Sequence, residues 1–253
     1  MLTIENLLVK QEHHQILNLP AASLVSGELI AVLGPNGAGK SSLIKTICGE
    51  WPASTGQIRL HNKPLPNWPR HVLARHLGVL PQASQLSFPF KAQEVVAIGA
   101  TPLSLNIREI NHAVQKWMQA TDTWQFADRL YTSLSGGERQ RVQLARVLLQ
   151  LSQAERAPLL LLDEPTSAQD LGQQHQLLNL VKSLCQENGF AVISILHDLN
   201  QASRYADKVW LLHQGELIAQ GSPPQVLKPE TVMKIWGYQP ELFFNRHGQQ
   251  ILV

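Results

Sequence analysis

Eight consecutive residues, Gly34, Pro35, Asn36, Gly37, Ala38, Gly39, Lys40 and Ser41, fit the pattern G-x-x-x-x-G-K-[ST] in full. These residue types suit one chemistry. Glycines let a backbone wrap so that its N–H groups point inward and cradle phosphate oxygens. The lysine brings a point charge to the β- and γ-phosphates, and the hydroxyl after it can ligate Mg2+. A second group lies far along the chain, where the apolar run from Leu159 to Leu162 ends in Asp163 and Glu164. A carboxylate at the end of a buried strand can hold Mg2+ beside such a loop. The next carboxylate projects differently and can orient or deprotonate an attacking water. A guanine-reading element is not supplied by Asn62-Lys63-Pro64-Leu65, which lacks the aspartate such an element needs.

Elements of the right kind surround these residues. Leu29 to Leu33 reads as a buried strand, followed by the glycine-rich turn and a helical pattern from Ser41 to Gly49. Leu159 to Asp163, Phe190 to Leu196 and Lys208 to Leu212 read as further strands. Continuous apolar runs, rather than alternating ones, predict strands buried on both faces of a mainly parallel sheet, with helices between them in an α/β arrangement. Leu2 to Val9 and Gly56 to Leu60 read as a more exposed antiparallel flank. From about residue 88 to 153 the patterns turn helical: Ala92 to Ile98, Ile107 to Ala120 and Gly136 to Leu151. This block reads as a helical subdomain inserted into a core formed by residues 1–87 and 154–253. Lys228 to Val253 reads as a helix followed by a tail packed on the core.

The segment Leu134, Ser135, Gly136, Gly137, Glu138, Arg139, Gln140 and Arg141 opens the third of those helices. Ser135 and Glu138 have the spacing of a capping box, and a capped helix start with free N–H groups is also an anion site. Beside the phosphate loop and the strand ending in Asp163, this segment resembles the signature motif of ABC transporter ATPases, and the resemblance covers almost the whole chain. It implies the fold of a P-loop NTPase, with ATP as substrate and Mg2+ as its ion. It also implies Glu164 and His197 as catalytic residues. His197 follows Ser194-Ile195-Leu196 and matches the switch histidine at the γ-phosphate. Residues 34–41 and Ser42 are the implied ATP-binding set, with Ser41, Gln82 and Asp163 at the metal. Asp170, in Ser167-Ala168-Gln169-Asp170, matches the D-loop. The family pairs two copies, so that Ser135, Gly136, Gly137 and Glu138 of one face the phosphate loop of the other. A homodimer on a permease dimer is therefore implied, with a periplasmic binding protein engaged indirectly.

Composition bounds the reading from outside. The 253 residues carry a formal charge of +2 and are 44% hydrophobic and 16% charged. That excludes a strongly basic nucleic-acid binder, a disordered chain and a coiled coil. No run approaches the roughly 18–20 apolar residues of a spanning helix, and the start lacks the pattern of a signal peptide. Membrane contact is then expected through a partner, without direct lipid insertion, at the cytoplasmic face of the inner membrane. Phe88, Phe90 and the Ala100 to Leu103 loop are candidates either for the docking surface of the permease or for the core of the helical block. Cys48 and Cys185 have no CxxC partner and read as reduced thiols.

Within the family the nearest resemblance is to importer ATPases for large chelates: hemin, ferric siderophores and cobalamin. Ser87-Phe88-Pro89-Phe90, Glu94 to Gly99 and His197 to Asn200 look most like the hemin branch. The ten histidines do not argue for heme binding by this chain, since His61, His71, His76 and His112 are scattered on polar stretches. A soluble ATPase acting on DNA or ribosomes predicts a coiled-coil insert, a second cassette or a basic stripe, which this sequence lacks. A non-catalytic ATP-binding module is disfavoured by intact Glu164 and His197. One departure stands out. The family usually places an aromatic before the first long strand to stack on adenine, yet no Phe, Tyr or Trp precedes Trp51. The matching region is Gln11-Glu12-His13-His14, so an imidazole covers the base there or nothing does.

Overall fold

The computed structural model describes residues 1–12, 14–82, 86, 88–246 and 248–253. The chain opens with β1 (Leu2–Gln11), β2 (His14–Leu24) and β3 (Leu29–Leu33), followed by α1 (Lys40–Ile47). Next come β4 (Thr55–Leu60), β5 (Lys63–Pro64), α2 (Arg70–His76) and β6 (Leu77–Leu80). Three helices follow: α3 (Ala92–Ala97), α4 (Ile107–Ala120) and α5 (Gly136–Gln150). The chain then alternates through β7 (Leu159–Asp163), α6 (Leu171–Asn188), β8 (Ala191–Ile195) and α7 (Leu199–Tyr205). It finishes with β9 (Lys208–His213), β10 (Glu216–Gly221), α8 (Pro223–Val226), α9 (Pro229–Trp236), β11 (Leu242–Phe244) and β12 (Gln250–Leu252).

Ten strands form one sheet in the order β5-β4-β1-β2-β10-β9-β3-β8-β7-β6. The half from β9 through β3, β8 and β7 to β6 is parallel. The other half is a mostly antiparallel flank. The expected α/β fold, with a parallel core and antiparallel flank, is therefore present. The continuous apolar runs have a simple cause. In β7, Leu159 and Leu161 belong to one hydrophobic cluster, while Leu160 and Leu162 belong to another on the opposite face. Both faces are covered, so no position along the strand is left for a polar side chain.

The three central helices pack on one of those faces. Val95 of α3, Trp117 of α4 and Leu144 of α5 share a single cluster with Leu33, Leu80 and Leu162 of the sheet. The helical block thus has no separate core. Its contact with the sheet is close enough that a Cβ at Gly78 of β6 would lie 2.6 Å from Val147 Cγ1. That glycine, unusual in a strand interior, is what lets α5 approach.

Several elements differ from the sequence expectation. β2, β6, β10 and α2 lie outside the runs named above, and the tail after α9 forms the hairpin β11–β12. β10 has no buried residue and β11 is exposed throughout, so neither carries a burial pattern to read. Ala100 is buried in the core and not available on a docking surface, whereas Phe88 and Phe90 are exposed with ring centroids 6.2 Å apart. His13 and Ser87 lie outside the described residues.

Because β7 is buried on both faces, Leu160→Ala and Leu161→Ala should each cost about 2–5 kcal/mol. Urea unfolding midpoints will check this, with Ile218→Ala on exposed β10 as the control expected to change little.

Candidate functional site

The register of the parallel strands brings four loops to one edge. Val32 of β3 and Asp163 of β7 both pair with Ile195 of β8, and Leu162 pairs with Leu80 of β6. The phosphate-loop pattern leaves β3, His197 follows β8, Asp163 and Glu164 end β7, and Gln82 follows β6. All four groups stand at the carboxyl ends of the strands, where open α/β sheets bind ligands.

The loop from Gly34 to Gly39 turns directly into α1. Gly34 has φ 148°, and a Cβ there would lie 2.1 Å from the Leu212 carbonyl oxygen, so the turn against β9 admits glycine alone. Lys40 is buried and its Nζ donates to the carbonyls of Gly34 (2.7 Å) and Pro35 (2.9 Å). Burial pushes the Lys40 amine below its ordinary pKa, with Glu164 and Asp163 pulling in the opposite sense. Ser41 Oγ donates to Asp163 Oδ1 at 3.2 Å. Burial raises the Asp163 carboxyl above the usual carboxylate range, with nearby Glu164 adding to it, against the Ser41 hydrogen bond. An oxygen-only pair holding an undercompensated, partly buried carboxylate fits a hard divalent cation such as Mg2+.

Glu164 lies at the centre of the remaining contacts. Its Oε2 accepts from Gln82 Nε2 at 2.6 Å, and its Oε1 faces His197 Nε2 at 2.6 Å. Both carboxylate oxygens are therefore occupied by residues singled out from the sequence. The hydrogen bond of Gln82 goes to Glu164, while the Ser41–Asp163 pair stands beside it. Glu164 adopts a left-handed backbone, φ 51°, which is uncommon outside glycine. Its carbonyl accepts from Gln140 Nε2 (3.1 Å) and Ser167 Oγ (3.0 Å), and these bonds hold the turn that separates its side chain from that of Asp163.

Gln140 was legible only as part of the signature segment. It lies in the first turns of α5 and connects that helix to Glu164. Its Oε1 also accepts from Gln169 Nε2 at 3.4 Å, and Gln169 Nε2 reaches the Pro165 carbonyl at 3.3 Å. Gln169, in the segment matched to the D-loop, is thus buried and tied to the signature helix. Asp170 caps α6 by accepting from the Gln173 N–H at 2.9 Å.

Ser135 caps α5 as the spacing predicts: its Oγ accepts from the Glu138 N–H, and its N–H donates to Glu138 Oε2 at 2.7 Å. That backbone contact holds the Glu138 carboxyl below its ordinary pKa. Ser135 and Gly136 are exposed, and Gly137 packs on the Ala168 carbonyl. A cleft of about 460 Å³ runs along the phosphate loop, lined by Asn36 to Ser42 and Glu164 together with Gln15, Ile16, Trp51, Gln214 and Gly215. The described lining residues include none of Ser135, Gly136, Gly137 and Glu138. Gln15, Ile16, Trp51, Gln214 and Gly215 carry no local sequence signal for this cleft.

A partly buried carboxyl whose pKa is raised by folding, as that of Asp163 is, destabilises the native state as pH climbs above the ordinary carboxylate value. Asp163→Asn should therefore raise the melting temperature of the nucleotide- and metal-free protein at neutral pH. The gain should shrink as pH falls toward about 4, where the wild-type carboxyl is itself protonated. Calorimetry across pH in the presence of a chelator will check both parts.

A family model described as "ABC transporter" matches residues 17–167. The chain is 46% identical over 253 residues, covering the full length of both, to the hemin import ATP-binding protein HmuV of Shewanella denitrificans. It is 47% identical to HmuV of Vibrio cholerae over 92% of this chain and 90% of that one. A solved structure described as a metal-chelate type ABC transporter in an inward-facing conformation superposes with a TM-score of 0.80 at 27% identity, covering 100% of this chain and 96% of the other. With the phosphate loop, the strand-end carboxylates and the capped signature helix arranged as above, the chain belongs to the ABC transporter family.

Proposed function

We propose that the chain is the ATP-hydrolysing motor subunit of a bacterial ABC importer for hemin, driving uptake through a permease dimer. The motor reading is carried by the convergence of Lys40, Ser41, Asp163, Glu164, Gln82 and His197 at the carboxyl edge of the parallel strands. The choice of hemin rests on the relatives, which carry that name at 46–47% identity over nine-tenths or more of their length. A ferric-siderophore or cobalamin importer is the second reading, favoured by the likeness to a metal-chelate type transporter.

In this reading residues 34–42 bind the phosphates of ATP through inward N–H groups, and Lys40 leaves its two carbonyl partners to meet the β- and γ-phosphates. Ser41 and Asp163, joined by Gln82, would hold Mg2+, which neutralises phosphate charge when bound. Glu164 accepts a proton from the attacking water as the bond from the γ-phosphorus to the bridging oxygen breaks. His197 donates to the γ-phosphate. Freeing Glu164 from Gln82 and His197 is part of reaching the active arrangement, since both its oxygens are engaged in the present one.

The signature helix lies outside the cleft of its own chain, which supports a homodimer in which it serves the other copy. Ser135 and the N–H groups at the start of α5, a helix of 15 residues, then face the partner's γ-phosphate and stabilise its charge. Hydrolysis removes that bridge and lets the dimer open. Exposed Phe88 and Phe90 suit an apolar helix of the permease. No helix among the described residues is long and apolar enough to cross a membrane. In this reading the subunit sits peripherally, at the cytoplasmic face of the inner membrane, and serves substrate that a periplasmic binding protein delivers.

Glu164→Gln should lower the ATPase rate by roughly 100-fold or more while ATP binding persists. Equal rates for the variant and wild type, reconstituted with the permease, would sink the motor reading. The composite site makes a separate prediction. Lys40→Ala and Ser135→Arg chains should each be inactive alone, and mixing them should recover activity through the one site that is intact. Hemin, cobalamin and a ferric siderophore, compared as stimulants of the reconstituted ATPase, should rank hemin first.

A further inference from the structure

We propose that Trp51 is the aromatic cover of the nucleotide base, taking the place of the N-terminal aromatic that this chain lacks. The inference rests on the ATP-binding reading above and adds the residue that recognises the nucleoside end. His14 is exposed where β1 and β2 meet and is absent from the described cleft lining, and His13 lies outside the described residues. Trp51 is the single aromatic among the described lining residues.

Local backbone geometry explains how a residue so far past the phosphate loop returns to it. Helix α1 ends in a Schellman turn: the Gly49 N–H donates to the Thr46 carbonyl at 3.2 Å and the Glu50 N–H to the Lys45 carbonyl at 2.9 Å. Gly49, at φ 82°, supplies the left-handed residue the turn needs. The Trp51 N–H then donates to the same Lys45 carbonyl at 3.1 Å. The reversed chain is thus held by the last carbonyls of α1, and Trp51 enters the described lining of the cleft.

The ring is held as well as placed. Lys45 Nζ lies 5.1 Å from its centroid, and the ring packs, half-buried, against the cluster that contains Leu43 and Ile47. Ile16 of β2 forms another wall of the same cleft, so a planar base can lie between an aliphatic and an aromatic side chain. Stacking of this kind is tolerant of the base's hydrogen-bonding edge. Trp51 therefore contributes affinity for nucleosides generally and little preference for adenine over guanine.

The test compares MgATP, MgGTP and inorganic tripolyphosphate binding to the full chain by calorimetry, for wild type, Trp51→Ala and Trp51→Phe. Trp51→Ala should lose roughly 10-fold in affinity for both nucleotides while tripolyphosphate binding stays unchanged, and Trp51→Phe should recover most of the loss. ATP should also quench tryptophan fluorescence in wild type, and most of that quench should vanish in Trp51→Phe. Unchanged nucleotide affinity in Trp51→Ala, or an equal loss for nucleotides and tripolyphosphate, overturns the proposal. If Trp51→Ala does not fold, a quench that persists in Trp51→Phe overturns it instead. A wild-type chain that binds tripolyphosphate and no ATP would overturn the ATP-binding reading itself.

Discussion

The parallel ladder joining β3, β8, β7 and β6 is the constraint on which the site depends. Its backbone hydrogen bonds fix which residues end level with one another, and the chemistry begins one or two residues later on each strand. A slip of one residue in β7 would exchange its two buried faces and turn Asp163 away from Ser41. Such a slip is opposed by leucines on both faces of β7, each at 0% exposure. The core that gives the molecule its stability is therefore also what sets the register of its site.

That site concentrates charge in a partly buried place. Lys40, Asp163 and Glu164 are mutually close, and burial disfavours the charged forms of both Lys40 and Asp163. Among themselves the groups form only partial pairings: Lys40 with two carbonyls, Ser41 with Asp163, and Glu164 with Gln82 and His197. A triphosphate with its cation would supply both the negative and positive charge that these groups lack. Natural proteins commonly sacrifice stability at such sites, and the left-handed backbone of Glu164 belongs to the same pattern.

The glutamine pair connects this site to the signature helix. Gln140 bonds to the Glu164 carbonyl and to Gln169, so α5 and the loop that precedes α6 share one polar contact beside the carboxylate. A movement of α5 would be felt at Glu164 through a side chain, and the reverse. The same helix presents Ser135 and Gly136 outward at its start and buries Val142, Leu144 and Val147 in the core. One element thus faces outward at its capped end and inward along its length.

The sequence by itself determined the chemistry and the central strands. The phosphate loop, the carboxylate pair and the capped signature are contiguous patterns, and contiguity is what a sequence displays directly. Strands β3, β7, β8 and β9 were legible because burial on both faces forces unbroken apolar runs, and α4 because its apolar spacing is local. β10 and β11 were not legible, since they have no buried residue and their positions follow from pairing with other strands, while β2 was missed although Leu17, Leu19 and Leu24 alternate on its buried face. Tertiary structure alone decided that both oxygens of Glu164 are held by Gln82 and His197, that Gln169 bonds to Gln140, and that Trp51 lines the cleft. The physical reason is the same in each case: these contacts join residues brought near by the sheet register or by a reversed helix end, and short-range spacing carries no trace of either.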